Sequence, residues 1–138
     1  MVGTLIFDGD CGFCTRSRDL LARLDRRGRI RTVPFQRAGV AEDAGVRRED
    51  LARAVFWDGG PGRRYWGAEA VNAALSAALG TRLPLWFYRL PVIRQVQDRV
   101  YRWVADNRHR LPGVTPWCTS HPEFCVSHFR AGQDAHEA

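Results

Sequence analysis

The spacing of apolar residues predicts that short strands and helices alternate along the first part of the chain. A strand-forming run, Leu5-Ile6-Phe7, ends at Asp-Gly-Asp, and a helical pattern then continues to Gly28. The apolar face of that helix would carry Ser17, Leu20, Leu21 and Leu24. A second apolar run at 30–35 is typical of a strand, and because a helix connects the two strands we expect them to run parallel.

The rest of the pattern predicts a hairpin and two further helices. Residues 54–57 and 63–66 are typical of strands, and the Gly- and Pro-rich turn between them predicts an antiparallel pair. Helical spacing then covers 68–79 (Val71, Leu75, Ala78, Leu79) and about 91–110, whereas 36–50 should form short helical turns and 83–90 an aromatic-rich connection. The predicted fold class is α/β, in the order β-α-β-(α)-β-β-α with an additional C-terminal helix.

The composition indicates one globular domain of 138 residues, 45% of them hydrophobic. We expect a domain over 1–110, which includes the helix at about 91–110, and a C-terminal extension over 111–138 that is frayed from about residue 130. The formal charge of +6 comes from 21 arginines, without a lysine, scattered along the chain. Nucleic-acid binding requires a basic stripe interleaved with exposed aromatic residues, so no nucleic-acid partner is expected.

The sequence predicts a cytoplasmic protein. Its longest apolar stretch, 83–93, is interrupted by prolines and an arginine and is too short to span a bilayer. The first predicted strand begins within five residues of Met1, which does not resemble a signal peptide. In the cytoplasm, four cysteines indicate redox or metal chemistry more than a structural disulfide framework.

Two cysteines lie where the first strand gives way to the first helix, in the sequence Cys11-Gly12-Phe13-Cys14. A helix N-terminus favours negative charge, and the thiolate is the reactive form of cysteine. Cys14 follows one helical turn later, close enough for a disulfide in the looser geometry of a first turn. The pattern therefore predicts a redox dithiol in which Cys11 attacks and Cys14 resolves the mixed disulfide.

The two acidic residues before the dithiol are candidate catalytic residues. Asp10 is predicted to be the N-cap of the helix, accepting from the backbone N–H of Gly12 or Phe13. Its charge would oppose thiolate formation by about 0.7 kcal/mol. The helix terminus contributes about 0.3–1 kcal/mol in the other direction, so we expect a thiol only moderately more acidic than a free one. Asp8, at the strand end, could relay a proton from Cys14 or position the loop.

The candidates for substrate binding are Gly12, Phe13 and Trp86. Phe13, next to Gly12, would present an apolar surface beside the thiols, or would instead pack under the second strand. Trp86, in the aromatic connection, could form a wall of a substrate groove or simply pack against the sheet.

The stretch from Phe7-Asp8-Gly9 through Asp10-Cys11-x-x-Cys14 resembles the signature of the DCC family, thioredoxin-like proteins described as thiol-disulfide oxidoreductases. Looser support comes from Trp-Gly-x-x-Ala at 66–70, the Leu-Pro-rich stretch at 83–91 and the segment 101–108. The resemblance implies a thioredoxin-like fold, a protein or small-molecule disulfide substrate, a thiol electron donor, and no cofactor. Such enzymes usually carry a cis-proline before the third strand, but Leu51-Ala52-Arg53 contains none, so the substrate-binding ledge must be built differently.

Alternatives to this function stay open. A Cys-x-x-Cys pair also binds zinc or copper, which would indicate a metal-binding or metallochaperone module. A third possibility is a non-catalytic interaction protein with an idle dithiol. Near the C-terminus, Cys118, His121, Cys125 and His128 have the spacing of a weak alternative metal site. Those two cysteines could equally form a second disulfide, act as a thiol relay to the N-terminal pair, or be passive.

Overall fold

The computed structural model describes residues 2–125, and its first three elements form a parallel β-α-β unit. Strand β1 spans Gly3–Phe7, helix α1 spans Gly12–Leu24 and strand β2 spans Ile30–Pro34. The strands pair from Gly3 opposite Ile30 to Phe7 opposite Pro34. The predicted parallel pair is therefore confirmed, and both strands point their carboxyl ends toward the start of α1.

Two short helices follow, as the glycine-interrupted sequence of 36–50 predicts. They are α2 (Val40–Ala44) and α3 (Arg48–Arg53). Gly39 and Gly45 bound α2 with positive φ angles of 82° and 71°, a conformation that side chains with a Cβ disfavour.

An antiparallel hairpin completes the sheet. Strands β3 (Phe56–Asp58) and β4 (Arg64–Trp66) pair with each other, and β3 also pairs antiparallel with β1. The strand order is β2-β1-β3-β4, so the sheet is mixed. Together with the helices around it, this sheet confirms the predicted thioredoxin-like α/β fold.

The helix after the hairpin, α4 (Gly67–Leu79), packs a stripe of small residues on the sheet. The completely buried members of this stripe are Ala70, Ala73, Ala74 and Ala77, which lie in one core cluster with Leu5, Trp57 and Leu85. The predicted apolar face was wrong in part, because Val71 and Leu79 are exposed. Alanine allows the helix backbone to lie close to the bulky side chains of β1 and β3, which fill the space that a larger residue on α4 would need.

The aromatic stretch after α4 is a helix rather than a connection. Helix α5 spans Leu83–Tyr88, and the backbone N–H of Leu85 donates to Oγ of Ser76 (3.1 Å). Helix α6 spans Pro91–Asn107 and confirms the predicted C-terminal helix. None of its residues is fully buried, but the Tyr101 hydroxyl accepts from the backbone N–H of Val55 (3.0 Å) and so joins α6 to the residue before β3.

The C-terminal extension returns to the sheet. It contains the short helix α7 (Trp117–Ser120) and a single 3₁₀ turn at Pro122–Phe124. Trp117 contacts the ring of Phe7 edge-on, with 6.2 Å between centroids, so the extension lies at the carboxyl end of β1. The predicted fraying from about residue 130 lies outside the described residues.

Candidate active site

The start of α1 is capped by a thiol. The N-cap residue is Cys11, whose Sγ accepts a hydrogen bond from the backbone N–H of Cys14 at 3.2 Å. The prediction that Asp10 caps this helix is wrong, because its carboxylate accepts instead from the Gln36 side-chain amide at 3.3 Å. The sulfur itself therefore receives the unpaired N–H of the helix terminus.

The two thiols have opposite tendencies to ionise. A hydrogen bond from the Cys14 side chain, the backbone N–H of Cys14 and the positive charge of Arg108 together lower the pKa of Cys11 to about 6, against the opposing effects of burial and Asp8. The same side-chain hydrogen bond, together with burial, raises the pKa of Cys14. At neutral pH the arrangement therefore favours a Cys11 thiolate beside a protonated Cys14.

Arg108, just beyond the end of α6, joins three parts of the site. Its guanidinium lies 3.9 Å from Sγ of Cys14, 3.0 Å from Oδ2 of Asp8 and 2.8 Å from the backbone oxygen of Ala52. The contact with Ala52 brings the segment before β3 to the dithiol without a cis peptide bond, and the described residues contain none. Sequence reasoning gave Arg108 no role, although it ends the 101–108 stretch that resembles the DCC family.

Asp8 and Gln36 fix the loop between β1 and α1. Oδ1 of Asp8 accepts from Nε2 of Gln36 (2.8 Å) and from the backbone N–H of Asp10 (3.0 Å). Oε1 of the buried Gln36 accepts from the backbone N–H of Gly9 (3.0 Å). These contacts give Asp8 the loop-positioning role, while its proton-relay role stays a prediction. Sequence reasoning missed Gln36. The available signal was its place as a polar residue directly after the strand predicted at 30–35.

The C-terminal extension packs on the residues that flank Cys11. We call residues 113–118 the covering segment, whose backbone N–H groups donate to Gly12 O from Val114 (3.2 Å) and to Gly9 O from Cys118 (2.8 Å). A Cβ atom added at Gly12 would lie 2.5 Å from Val114 O, so only glycine permits this approach. The side chain of Cys11 is 0% exposed, whereas Cys14 is partly accessible.

A cavity of about 420 Å³ opens beside Cys14. Its lining is largely apolar and comes mainly from α1, α4 and α6, including Phe13, Leu21, Val71, Val100 and Val104, with Asp8 and Arg108 at the site. Phe13 thus lines the same cavity as Cys14, and its role in substrate binding stays a prediction. Gly12 lies under the covering segment, and Trp86 is exposed on α5 and does not line this cavity.

The sequence profile of the DCC1-like thiol-disulfide oxidoreductase family matches residues 5–114. The chain belongs to this family. No curated protein and no solved structure matches the chain. The match contains the dithiol, Gln36 and Arg108, and it ends within the covering segment, so Trp117, Cys118 and Cys125 lie beyond it.

Cys118 and Cys125 form a disulfide in this DCC1-like protein. Of the alternatives for these residues, the structure therefore supports the second disulfide, because bonded sulfurs offer no thiolate to a metal. His121 stacks on the Trp117 ring with 3.9 Å between centroids, and His128 lies outside the described residues. Within residues 2–125 no group of three or more potential metal ligands comes together.

Across residues 2–125, no helix combines the length and the apolar character that crossing a bilayer requires.

Proposed function

We propose that this protein is a thiol-disulfide oxidoreductase in which Cys11 attacks a substrate disulfide and Cys14 resolves the resulting mixed disulfide. The observation that carries the proposal is the hydrogen bonding of Cys14 to Sγ of Cys11, which lowers the pKa of Cys11 to about 6. A thiol with that pKa is mostly ionised at neutral pH, whereas a free cysteine is mostly protonated.

The reaction transfers two electrons to the substrate. The Cys11 thiolate bonds to one substrate sulfur, the substrate S–S bond breaks, and the other sulfur leaves as a thiolate. Cys14 then loses its proton and attacks Sγ of Cys11, which closes the Cys11–Cys14 disulfide and releases the second substrate thiol. A thiol donor, drawn in this proposal from the cytoplasm, reduces the new disulfide and restores the dithiol.

Arg108 and Asp8 are proposed to support the second step. The Arg108 guanidinium, 3.9 Å from Sγ of Cys14, favours the thiolate that Cys14 must form before it attacks. Asp8 is ion-paired to the same guanidinium at 3.0 Å and lines the same cavity, and it is the proposed proton acceptor.

Access to the nucleophile requires a change in the covering segment. Cys11 is buried while that segment is in place, so an external disulfide reaches it only after the segment moves aside. The apolar cavity beside Cys14 is the proposed site for apolar groups that flank the substrate disulfide.

Two serine variants test the proposal. Cys11→Ser should abolish catalysed reduction of an aromatic disulfide that is followed by absorbance, because it removes the thiol whose ionised form the helix start favours. Cys14→Ser should accumulate a mixed disulfide on Cys11, detectable by mass spectrometry of peptides. Wild-type turnover in both variants, or trapping of substrate on Cys14 in the Cys11→Ser variant at the wild-type rate, would contradict the assigned roles.

A further inference from the structure

The Cys118–Cys125 disulfide packs against the loop between β1 and α1, which leads into the dithiol. The backbone N–H of Cys118 donates to Gly9 O at 2.8 Å, two residues before Cys11. A Cβ atom added at Gly9 would lie only 2.6 Å from Sγ of Cys118, so this sulfur packs on the glycine backbone. The Cys118–Cys125 disulfide is thus seated beside the start of α1.

Burial separates three of the four sulfurs from external reactants in this conformation. Cys11, Cys118 and Cys125 are all 0% exposed. The covering segment that packs beside Cys11 also carries Cys118, so docking of the segment holds this disulfide against the loop that leads to Cys11. A reactant on the same chain acts at a high effective concentration, which favours exchange within the molecule over exchange with a dilute external disulfide.

Thr15 and Trp117 connect helix α1, which begins at the dithiol, to the segment that carries Cys118. The Thr15 hydroxyl donates to Cys11 O at 2.9 Å and accepts from the backbone N–H of Trp117 at 3.0 Å. The Arg18 guanidinium lies over the Trp117 ring, 4.5 Å from its centroid. The residue immediately before Cys118 is therefore fixed to the first turns of α1, so the position of the disulfide relative to Cys11 is set by structure rather than by a loose tether.

We propose that the Cys118–Cys125 disulfide is an internal substrate of the Cys11–Cys14 dithiol, an inference that rests on the proposed function. The Cys11 thiolate attacks Sγ of Cys118, the Cys118–Cys125 bond breaks, and Cys125 leaves as a thiolate that takes up a proton. Cys14 loses its proton and attacks Sγ of Cys11, which releases Cys118 as a thiol. The dithiol is oxidised to a disulfide, and the C-terminal pair is reduced to two thiols. Two electrons therefore pass from the Cys11–Cys14 dithiol to the Cys118–Cys125 pair.

Two matched variants, each with two cysteines left, test the first step. Cys14→Ser/Cys125→Ser keeps Cys11 and Cys118, and the control Cys14→Ser/Cys118→Ser keeps Cys11 and Cys125. Each full-length variant is equilibrated in glutathione buffer, quenched with acid and analysed by peptide mass spectrometry. We expect a Cys11–Cys118 link in the first variant and at least about tenfold less linkage in the control, because Cys118 is the sulfur seated on the loop. No link in the first variant, or equal links in both, would overturn the proposal.

The single variant Cys14→Ser, which keeps the native C-terminal pair, supplies a second measurement if a double variant does not fold. When the protein is quenched with acid, unfolded and then alkylated, exchange in this variant should leave Cys11 unlabelled and Cys125 as a free, labelled thiol. Labelling of Cys11 with an intact Cys118–Cys125 disulfide would refute the inference.

Turnover of an external disulfide separates this inference from the proposed function. Wild-type turnover without a Cys11–Cys118 link would leave the oxidoreductase proposal intact and eliminate the internal substrate. A link without external turnover would have the opposite meaning, namely that the dithiol exchanges only within its own chain.

Discussion

Each cysteine of the dithiol determines how readily the other ionises. Cys14 donates to Sγ of Cys11 from its backbone and its side chain, so the charge is stabilised on Cys11 and disfavoured on Cys14. From the sequence, Asp10 and the helix terminus were expected to cancel, leaving a thiol only moderately more acidic than a free one. In the structure, the hydrogen bonds from Cys14 and the charge of Arg108 also lower the pKa of Cys11. The carboxylate that raises this pKa is Asp8.

The first prediction concerns the ionisation of Cys11. Thiolate absorbance of the reduced protein should appear with a midpoint near pH 6, because the pKa is lowered and the charged form is therefore present above that pH. Cys14→Ala should move the midpoint up toward the ordinary value of about 8.5, since it removes the largest stabilising contribution. A wild-type midpoint above 8 would contradict the assignment.

The second prediction concerns Arg108, whose charge also lowers the pKa of Cys11. Arg108→Met should raise the Cys11 midpoint, but by less than Cys14→Ala does, because the arginine is the smaller contributor. It should also destabilise the protein by up to about 3–5 kcal/mol, because the largely buried Asp8 loses its ion-pair partner.

Two control variants separate charge from geometry at this position. Arg108→Lys keeps the positive charge and should restore the midpoint while the contact with Ala52 O is weakened. Arg102 is an exposed arginine on α6, and Arg102→Met should change neither the midpoint of Cys11 ionisation nor the chemical denaturation curve. An unchanged Cys11 midpoint in Arg108→Met would show that the guanidinium does not act on the thiols.

At the scale of elements, α6 forms one wall of the cavity rather than part of the core. Its apolar residues Val96, Val100 and Val104 line the cavity beside Cys14, while the Tyr101 hydroxyl and Arg108 connect the helix to the segment before β3. The alanine stripe of α4 has the opposite role, since it is completely buried against the sheet. Helix α4 thus packs on the sheet through its alanine stripe and also lines the cavity through Val71, whereas α6 contributes to the cavity wall without a fully buried residue.

The third prediction tests the cavity through two valines of α6. Val100 and Val92 are both exposed, at 56% and 72%, but only Val100 lines the cavity. Val100→Glu should raise KM for an apolar disulfide by about tenfold, equivalent to about 1.4 kcal/mol, because it places a charge where the apolar group would bind. Val92→Glu should leave KM unchanged. Equal effects of the two substitutions on steady-state kinetics would exclude the cavity as the substrate site.

At the scale of the whole molecule, the C-terminal extension packs on the residues that flank Cys11, the proposed nucleophile. Three backbone N–H groups of the covering segment donate to Gly9 O, Gly12 O and the Thr15 hydroxyl, on both sides of Cys11. The Trp117 ring stacks on His121 and meets the Phe7 ring edge-on, which attaches the segment to the end of β1. If Cys11 is the nucleophile, as proposed, its reaction with an external disulfide should depend on how often this attachment opens.

The fourth prediction tests that dependence. Trp117→Ala should increase the alkylation rate of Cys11 at fixed pH by about tenfold or more, because weaker packing raises the population of the open state. Trp103→Ala removes an exposed tryptophan from α6 and should leave the rate unchanged. If Trp117→Ala alkylates at the wild-type rate, the covering segment does not limit access. The Cys11 thiolate midpoint, measured in parallel, distinguishes access from a change in pKa.

Local patterns were enough to predict most of the fold. Alternation of strand-forming runs with helical spacing identified β1, α1, β2, the hairpin, α4 and α6, because such elements depend on residues close together in the chain. The helical character of 83–90 was missed, since the contact that binds the start of α5, from Leu85 N–H to Ser76 Oγ, joins residues nine positions apart. The buried face of α4 was misassigned because small residues pack on the sheet where larger ones do not fit.

For the candidate site, the sequence by itself determined the position of the dithiol at a strand-to-helix junction and its family resemblance, since both are features of adjacent residues. Only the tertiary structure decided what surrounds it. Arg108 reaches Cys14 across 94 positions, and Trp117 reaches Thr15 across 102. The pairing of Cys118 with Cys125, and the burial of Cys11 beneath the segment that carries Cys118, likewise depend on how the chain folds back on itself. Ionisation and access respond to all charges and atoms within a few ångströms, and spacing along the chain does not specify which distant residues come that close.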